Sequence, residues 1–375
     1  MIAFPVVLML PPSGTSRSEQ WVAAGRLAAA RDLARRLGRI RGVASIHVLA
    51  GNRSDSESLH ELGVKSLPAP PGSFHFGRAL ADIITEQGFE RCAYFGGSSA
   101  ALMVEQALED VFDRVAQHEH PFAVVNNYHS TDWIVLNHAP ELTRLWESLP
   151  KDNPLGWVLY HEAGYEVHSL APSAASRVDI DTPSDLFMLH QHPDLGAELD
   201  SFLASAPPEQ LIKVQRVQDV MQSPASTLTL IGRASAHLWH TLEQRTQIWI
   251  RAFVEERGMI ASGRLARAEV QSILGEILEV WGPRRFVERL TRVSDAVLWD
   301  TRVWMAHRGP WPSAADRFAS DLGWVDEIED TTLRELIRAV QEAASPIVTG
   351  GHGVVSGGVY ALVESFESES HHPSR

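Results

Sequence analysis

The sequence is poor in cysteine and lacks long apolar runs. Cys92 is the single cysteine among 375 residues, so no disulfide can form within the chain, which fits a reducing cytoplasm. The apolar segment 1–10 is too short to span a bilayer and has no basic flank, so we predict a first buried strand there. The sequence therefore predicts a globular cytoplasmic protein without membrane contact.

Basic residues are also scarce. The chain has 33 Lys and Arg against 47 Asp and Glu, a net charge of −14, and its lysines are limited to Lys65, Lys151 and Lys213. This balance argues against a broad nucleic-acid-binding surface. The remaining basic residues are arginines, which suit bidentate contacts with phosphate or carboxylate, although a biased genome composition would give the same pattern.

Motifs for zinc and for a protein nucleophile are missing. The 17 histidines form no HExxH pattern, and no GxSxG nucleophile elbow occurs. We therefore expect no zinc site, and in any group transfer the attacking group would belong to the acceptor molecule. The catalytic residues stay unassigned.

Strand and helix signals alternate over residues 1–195, whereas strand signals nearly vanish beyond residue 226. The alternation predicts a three-layer α/β domain with a mostly parallel sheet and right-handed crossovers. Helical spacing of apolar residues, as over 234–254, predicts an all-helical C-terminal domain. The predicted organisation is an α/β domain over 1–195, a linker over 196–225, a helical domain over 226–363 and a disordered tail over 364–375.

Residues 178–186 read Val-Asp-Ile-Asp-Thr-Pro-Ser-Asp-Leu. Asp179 and Asp181 alternate with apolar residues, so at a strand end both carboxylates would point the same way. Ser184 and Asp185 are predicted to cap the helix that follows. Two carboxylates in this place can hold Mg²⁺ for phosphate chemistry. The alternative is a capped turn with surface aspartates.

Three loops that follow predicted strands have backbone or side-chain groups suited to contact with a nucleotide. Residues 11–19 can offer backbone N–H groups to phosphate, and the end of the third strand, residues 96–99, lets a ligand approach the backbone. The polar cluster 126–132 could contact a sugar or a base. Ordinary tight turns explain these loops as well. The candidate nucleotide-binding residues are Gly14, Thr15, Arg17, Gly96, Gly97, Ser98, Asn126 and Asn127.

A glycine-rich segment lies near the C-terminus, with five glycines between residues 350 and 358. Such a composition disfavours both helix and strand, so the segment is predicted to be a loop whose backbone makes specific close contacts. No Lys follows as in a Walker loop. Either contact with phosphate or close packing against the α/β domain would explain it. The candidate second ligand loop is Gly350, Gly351, His352 and Gly353.

In the order of its motifs and predicted elements along the sequence, the chain resembles the MobA-like nucleotidyltransferases. This family includes molybdenum-cofactor cytidylyltransferases and 2-phospho-lactate guanylyltransferases. The resemblance covers about residues 1–195 and depends mainly on the DIDTPSDL segment, 179–186. It implies a GT-A-type fold and a nucleotide site to which Gly77 and Arg78, at a predicted helix start, also belong. It further implies Mg²⁺ as cofactor, with Asp179 and Asp181 as ligands.

The chain departs from this family at two places. The family's longer glycine loop with a basic pair is replaced by the shorter loop 11–17, and Gly96-Gly97 stands where the family has an acidic metal ligand. Two hypotheses follow. One is a Mg²⁺-dependent enzyme that transfers a nucleotidyl or glycosyl group from a nucleoside di- or triphosphate to a small acceptor. The other is a non-catalytic protein that binds a nucleotide or a partner. We expect neither nucleic acid nor membrane as partner, and we regard the helical domain as a candidate homodimer interface.

Overall fold

A computed structural model describes residues 2–70 and 72–370. These residues form two compact units. The first unit comprises residues 2–13, 24–179 and 196–199, and the second comprises 14–23, 180–195 and 200–370. This division differs from the predicted boundary at residue 195, because residues 14–23 and 180–195 cluster with the second unit and residues 196–199 cluster with the first.

The first unit contains a seven-stranded sheet in the order β3-β2-β1-β4-β6-β5-β7. Only β6 runs antiparallel to its two neighbours; the other adjacent strands are parallel. The strands are β1 Phe4–Leu10, β2 Val43–Ala50, β3 Lys65–Ser66, β4 Cys92–Gly96, β5 Phe122–Val125, β6 Trp133–Leu136 and β7 Glu166–Ser169.

Apolar clusters cover both faces of this sheet. On β1, Val6 and Leu8 belong to one buried cluster, whereas Val7 and Met9 belong to another, as the alternation of side chains along a strand requires. The predicted three-layer α/β domain with a mostly parallel sheet is therefore confirmed. The helices that begin before residue 180 are α1 Arg17–Leu37, α2 Arg53–His60, α3 Phe76–Gln87, α4 Glu105–Ala116, α5 Leu155–Glu162 and α6 Ala174–Arg177.

The second unit contains a sheet of its own, which corrects the prediction of an all-helical C-terminal domain. Four parallel strands lie in the order β11-β10-β8-β9. Most residues of β8, β10 and β11 are buried, so these strands show no polar–apolar alternation and cannot be told from buried helix by periodicity. The strands are β8 Thr227–Gly232, β9 Trp249–Val254, β10 Ala296–Asp300 and β11 Ile347–Gly350.

Helices surround the second sheet, and two of them replace the predicted linker 196–225. The helices from residue 183 onward are α7 Pro183–Leu189, α8 Ala197–Leu203, α9 Pro208–Gln222, α10 Ala236–Arg245, α11 Ile273–Trp281, α12 Pro283–Thr291, α13 Arg302–His307, α14 Ala314–Leu322, α15 Thr331–Gln341 and α16 Gly357–Ser370. Because α16 extends to Ser370, the predicted disordered tail is helical over 364–370, and its last five residues lie outside the described part.

None of the helices in the described residues is long and apolar enough to cross a membrane.

Candidate functional site

The strand order of the first sheet reverses between β1 and β4, and ligands of open α/β sheets bind outside the carboxyl ends of strands at such a point. Gly96, the last residue of β4, and Gly97, which follows it, are both closely packed there. The Gly97 N–H donates to the Met9 carbonyl at 2.8 Å. A Cβ on Gly97 would lie 2.6 Å from Leu10, and one on Gly96 would lie 3.2 Å from the Asp132 carbonyl. These glycines let β4 end close to β1 without requiring a ligand.

Tyr94, a residue of β4 near this end of the sheet, has its hydroxyl hydrogen-bonded to Asp152. The Tyr94 hydroxyl donates to Asp152 Oδ2 at 2.7 Å, and the side chain is buried. Burial first, and then Asp152, Asp132 and Asp179, raise the pKa of Tyr94 well above its usual value. The phenol is therefore a neutral donor, and three carboxylates place negative charge around it.

Asp179 and Ser98 connect this end of β4 with the segment that precedes α7. The Ser98 hydroxyl donates to Asp179 Oδ1 at 3.3 Å, and Ser99 forms an isolated antiparallel bridge with Asp179. The predicted strand end at 179–181 is absent, because α6 runs to Arg177 and leaves room for this bridge alone. Of the predicted metal ligands, Asp179 belongs to the first unit and Asp181 to the second.

The Asn126 side chain has a structural role. Its amide nitrogen donates to Asp132 Oδ2 at 2.7 Å and to the Ser176 carbonyl at 3.3 Å. Its amide oxygen accepts from the backbone N–H groups of Asp132 and Trp133. Asn126 is also buried, so its hydrogen-bonding groups are already occupied within the protein. These contacts do not favour the predicted nucleotide role of Asn126.

Asn127, Gly77 and Arg78 also lie in the first unit. Asn127 Oδ1 accepts from the His129 N–H at 3.3 Å, as in a polar turn. Gly77 is buried at the start of α3, where a Cβ would lie 2.5 Å from the Trp146 carbonyl. Arg78 is exposed, with its guanidinium 5.7 Å from the Trp146 ring. Gly77 therefore has a packing role, and the nucleotide role of Arg78 stays a prediction.

Within residues 2–70 and 72–370, no group of three or more His, Cys, Asp or Glu side chains is arranged to hold a metal ion. Mg²⁺ is, however, often held by one or two carboxylates together with substrate phosphates. The hard oxygen donors at Asp179 fit such an ion, provided that phosphate oxygens complete its coordination. The Mg²⁺ prediction therefore stays a prediction.

The predicted phosphate loop at Gly14, Thr15 and Arg17 clusters with the second unit. Ser16 and Glu19 form a reciprocal cap at the start of α1: the Glu19 N–H donates to Ser16 Oγ, and the Ser16 N–H donates to Glu19 Oε2. A Cβ on Gly14 would lie 2.1 Å from the Glu19 carboxyl group. A carboxylate thus occupies the place predicted for phosphate.

Arg17 points to protein groups of the second unit. Its guanidinium donates to Glu327 Oε1 at 2.8 Å and lies 4.1 Å from the Trp324 ring centroid. Its charge is therefore already balanced by a carboxylate, and the contacts do not favour a phosphate role. Thr15 contributes its carbonyl oxygen to a contact with Gln20.

The second half of the DIDTPSDL segment forms α7 and its cap. Thr182 is the N-cap and Asp185 the reciprocal partner: Asp185 Oδ2 accepts from the Thr182 N–H at 2.7 Å and from its hydroxyl at 2.9 Å. The prediction of a capped helix is confirmed, with Thr182 rather than Ser184 as the cap. Ser184 instead donates to the Thr349 carbonyl at 2.6 Å.

The candidate loop 350–353 packs against α7. Strand β11 includes Gly350, and a short 3₁₀ helix covers His352–Val355, so the segment is more regular than its glycine content predicted. A Cβ would lie 2.6 Å from Ser184 if added to Gly350, 2.8 Å from Thr182 if added to Gly351, and 1.8 Å from Asp185 Oδ1 if added to Gly353. Of the two explanations for these glycines, close packing is the one that the contacts support.

Replacing Gly350 with alanine is expected to lower the free energy of unfolding by about 2–3 kcal/mol, because the new methyl group would overlap Val354 and Ser184. Gly309→Ala is the control: its methyl group meets nothing within 4 Å, so only the strain of a positive φ, about 1 kcal/mol, is expected. Denaturant unfolding measures both. Equal losses in the two variants would contradict a packing role for Gly350.

A cluster of charges that the sequence did not reveal lies at the carboxyl ends of β8 and β10 in the second unit. Arg233 binds Asp300 through two hydrogen bonds, of 2.6 and 3.1 Å, and Asp300 is fully buried. Although burial alone would raise it, the pKa of Asp300 is lowered, mainly by Arg233. Arg302 binds Asp321 in the same two-bonded manner, at 2.9 and 2.5 Å.

His352 lies next to this cluster. Desolvation first, and then the positive charge of Arg233, lower its pKa, whereas Asp300 opposes the shift. His352 is therefore neutral near pH 7 and able to accept a proton. The strand order of this sheet reverses between β8 and β10, and ligand sites of open parallel sheets usually lie at such a point.

Sequence reasoning thus missed Tyr94, Asp152, Arg233, Asp300 and the Arg302–Asp321 pair. The sequence around Asp300 and Arg302 predicts helix, whereas the structure has the buried strand β10 ending at Asp300. The sequence signal for these residues is a short apolar run, residues 296–299, that is followed directly by Asp300.

No family model matches the sequence, and no curated protein matches it. A cytidylyltransferase from Leptospira borgpetersenii serovar Hardjo-bovis (strain JB197) is similar in structure, with 14% identity, a TM-score of 0.41 and coverage of 58% of this chain and 96% of that one. A protein named as a nucleotide-diphospho-sugar transferase from Desulfovibrio desulfuricans G20 has 11% identity, a TM-score of 0.42 and coverage of 57% and 99%. A CMP:2-keto-3-deoxy-manno-octonic acid synthetase complexed with CTP has 12% identity, a TM-score of 0.31 and coverage of 44% and 90%.

Proposed function

We propose that the first unit is a nucleotidyltransferase-like domain that binds a nucleoside di- or triphosphate outside the carboxyl ends of β1 and β4. One observation carries the proposal. At the point where strand order reverses, the charges of Asp132, Asp152 and Asp179 act on the Tyr94 hydroxyl, and Ser98 donates a hydrogen bond to Asp179. Such a convergence of polar side chains at this point of an α/β sheet is the usual position of a ligand site.

The charge of this site implies a cation. Carboxylates alone would repel phosphate, so a divalent ion between Asp179 and the phosphates is the simplest way to reconcile the two. Bound there, Mg²⁺ would neutralise charge on the phosphates and on a leaving group. Asp181, the other ligand that the family resemblance implies, belongs to the second unit, so the proposed site depends on Asp179 and the phosphates.

The chain's own residues would mainly position the substrate. Tyr94 is a neutral phenol held by Asp152, so it can fix the orientation of that carboxylate but is unsuited to act as a base. The nucleophile would belong to a small acceptor, and catalysis would depend on orientation and charge neutralisation. We place this activity in the cytoplasm.

The test uses the full chain with nucleoside triphosphates in Mg²⁺ or in EDTA. We expect thermal stabilisation by at least one nucleotide to be larger with Mg²⁺. Asp179→Asn should abolish the Mg²⁺-dependent part. Asp110→Asn, the same change on the exposed face of α4, should behave as the parent does. Stabilisation that is equal in Mg²⁺ and EDTA, or unaffected by Asp179→Asn, would overturn the metal role.

A non-catalytic nucleotide-binding protein is the second candidate, and one observation favours it. The start of α1 has its own carboxylate, Glu19, where phosphate was expected. Incubation with labelled nucleotides and candidate acceptors separates the two functions. Release of pyrophosphate or nucleoside phosphate supports the enzyme, whereas Mg²⁺-dependent binding without product supports the second candidate.

A further inference from the structure

The second unit has a groove of about 700 Å³ between α12 and α15. Five arginines, three glutamates and Trp281 are among the residues that line it. The volume is within the range of sites for small molecules. An arginine-rich groove is unexpected in a chain whose net charge is −14, so its lining requires an explanation.

The arginines of the groove are mostly not neutralised by the protein. Arg284 pairs with Glu342 at 3.0 Å. By contrast, Arg289, Arg292 and Arg338 have no carboxylate oxygen within 4.0 Å among the described residues. Like charges gathered on one concave surface repel one another, and a bound anion would relieve that repulsion. The guanidinium fork matches phosphate oxygens in pairs.

Trp281 adds a flat apolar surface to the lining of the groove. It is 41% exposed although it is a large aromatic residue, and the Arg285 guanidinium lies 5.7 Å from its ring centroid. An exposed indole beside unpaired guanidinium groups can stack on a planar ring whose phosphates reach the arginines.

We propose that this groove binds a small molecule that carries a polyphosphate chain on a planar ring, such as a nucleoside triphosphate. This site is separate from the one proposed in the first unit. Its ligand needs no metal ion, because arginines rather than carboxylates meet the phosphates. That difference in metal requirement lets each site be measured without the other.

The experiment measures binding of inorganic tripolyphosphate and of ATP to the full chain in EDTA, by calorimetry at low and moderate salt. We expect both to bind, with affinity that falls as salt rises. The Arg289→Gln/Arg338→Gln variant should lose at least tenfold in affinity for both ligands. Arg251→Gln, an exposed change on β9 outside the groove, should retain parent affinity.

Trp281→Leu tests the ring contact. It should lower the affinity for ATP to that for tripolyphosphate and leave the latter unchanged. The substituted side chains are exposed, so the melting temperature of each variant should stay within a few degrees of the parent's.

Three results would overturn the proposal. They are no binding of either ligand in EDTA, binding unaffected by Arg289→Gln/Arg338→Gln, and binding of an acidic polypeptide such as poly-glutamate in preference to tripolyphosphate. The last result would assign the groove to a protein partner. Because Asp179→Asn leaves the groove intact, its effect on Mg²⁺-dependent binding reports on the first unit alone.

Discussion

Replacing Arg302 with methionine is expected to lower the free energy of unfolding by about 3–5 kcal/mol, because it leaves the buried Asp321 carboxylate without its partner. The Arg302 side chain is 6% exposed and that of Asp321 is fully buried. The two hydrogen bonds between them satisfy both carboxylate oxygens. A carboxylate isolated at this depth must either stay charged at high cost or take up a proton.

The double variant Arg302→Met/Asp321→Leu is the matched control. It removes both charges, so much of the lost stability should return, and the remaining loss should reflect imperfect packing. Arg284→Met breaks the exposed pair with Glu342 and should change stability by less than about 1 kcal/mol. If Arg302→Met and Arg284→Met were equally mild in denaturant unfolding, the buried pair would have no special role.

The fold of the first unit could be predicted because its signals are local. Strands such as β1 are short apolar runs, helices such as α1 have clear periodicity, and their alternation implies a parallel sheet. The second sheet could not be predicted in this way. Apolar residues at helical spacing over 234–254 were read as one helix, whereas the structure has α10, a short connection and β9.

The candidate site was only partly predictable, for a related reason. The cap of α7 is visible in the sequence, since Thr182, Pro183 and Asp185 are neighbours. The contact between Asp185 and Gly353 joins residues far apart in sequence, and so does the bond from Tyr94 to Asp152. Gly97 and Gly350 are predicted ligand contacts at which an added Cβ would overlap neighbouring groups, and sequence alone does not show what a missing Cβ would meet.

Asp185 also gives the second large prediction, which concerns pH. Its Oδ1 atom is buried without a hydrogen-bond partner among the described residues. Burial first, and then the charge of Asp181, raise the pKa of Asp185 to about 7, although the bonds from Thr182 oppose the shift. The carboxyl group is therefore largely protonated in the folded protein at pH 5 to 6, where the unfolded chain has it ionised.

The sign of the effect follows from proton binding. Between the usual pKa of 3.8 and about 7, the folded state holds more protons than the unfolded state, so this group's contribution to stability falls as pH rises and is constant above that window. Asp185→Asn removes the titration while keeping an oxygen that can accept the Thr182 bonds. Its stability relative to the parent should therefore rise by roughly 3–4 kcal/mol between pH 4 and pH 8.

Denaturant unfolding of parent and variant at pH 4, 6 and 8 measures this difference directly. The comparison across pH is the readout, because any cost of placing an amide nitrogen beside Gly353 is present at every pH and cancels. Asp326→Asn, an exposed change in the same unit, should keep the pH profile of the parent. The free energies of unfolding of Asp185→Asn and the parent could instead run parallel from pH 4 to pH 8. In that case Asp185 would have an ordinary pKa, and its burial against Gly353 would not disfavour the ionised carboxylate.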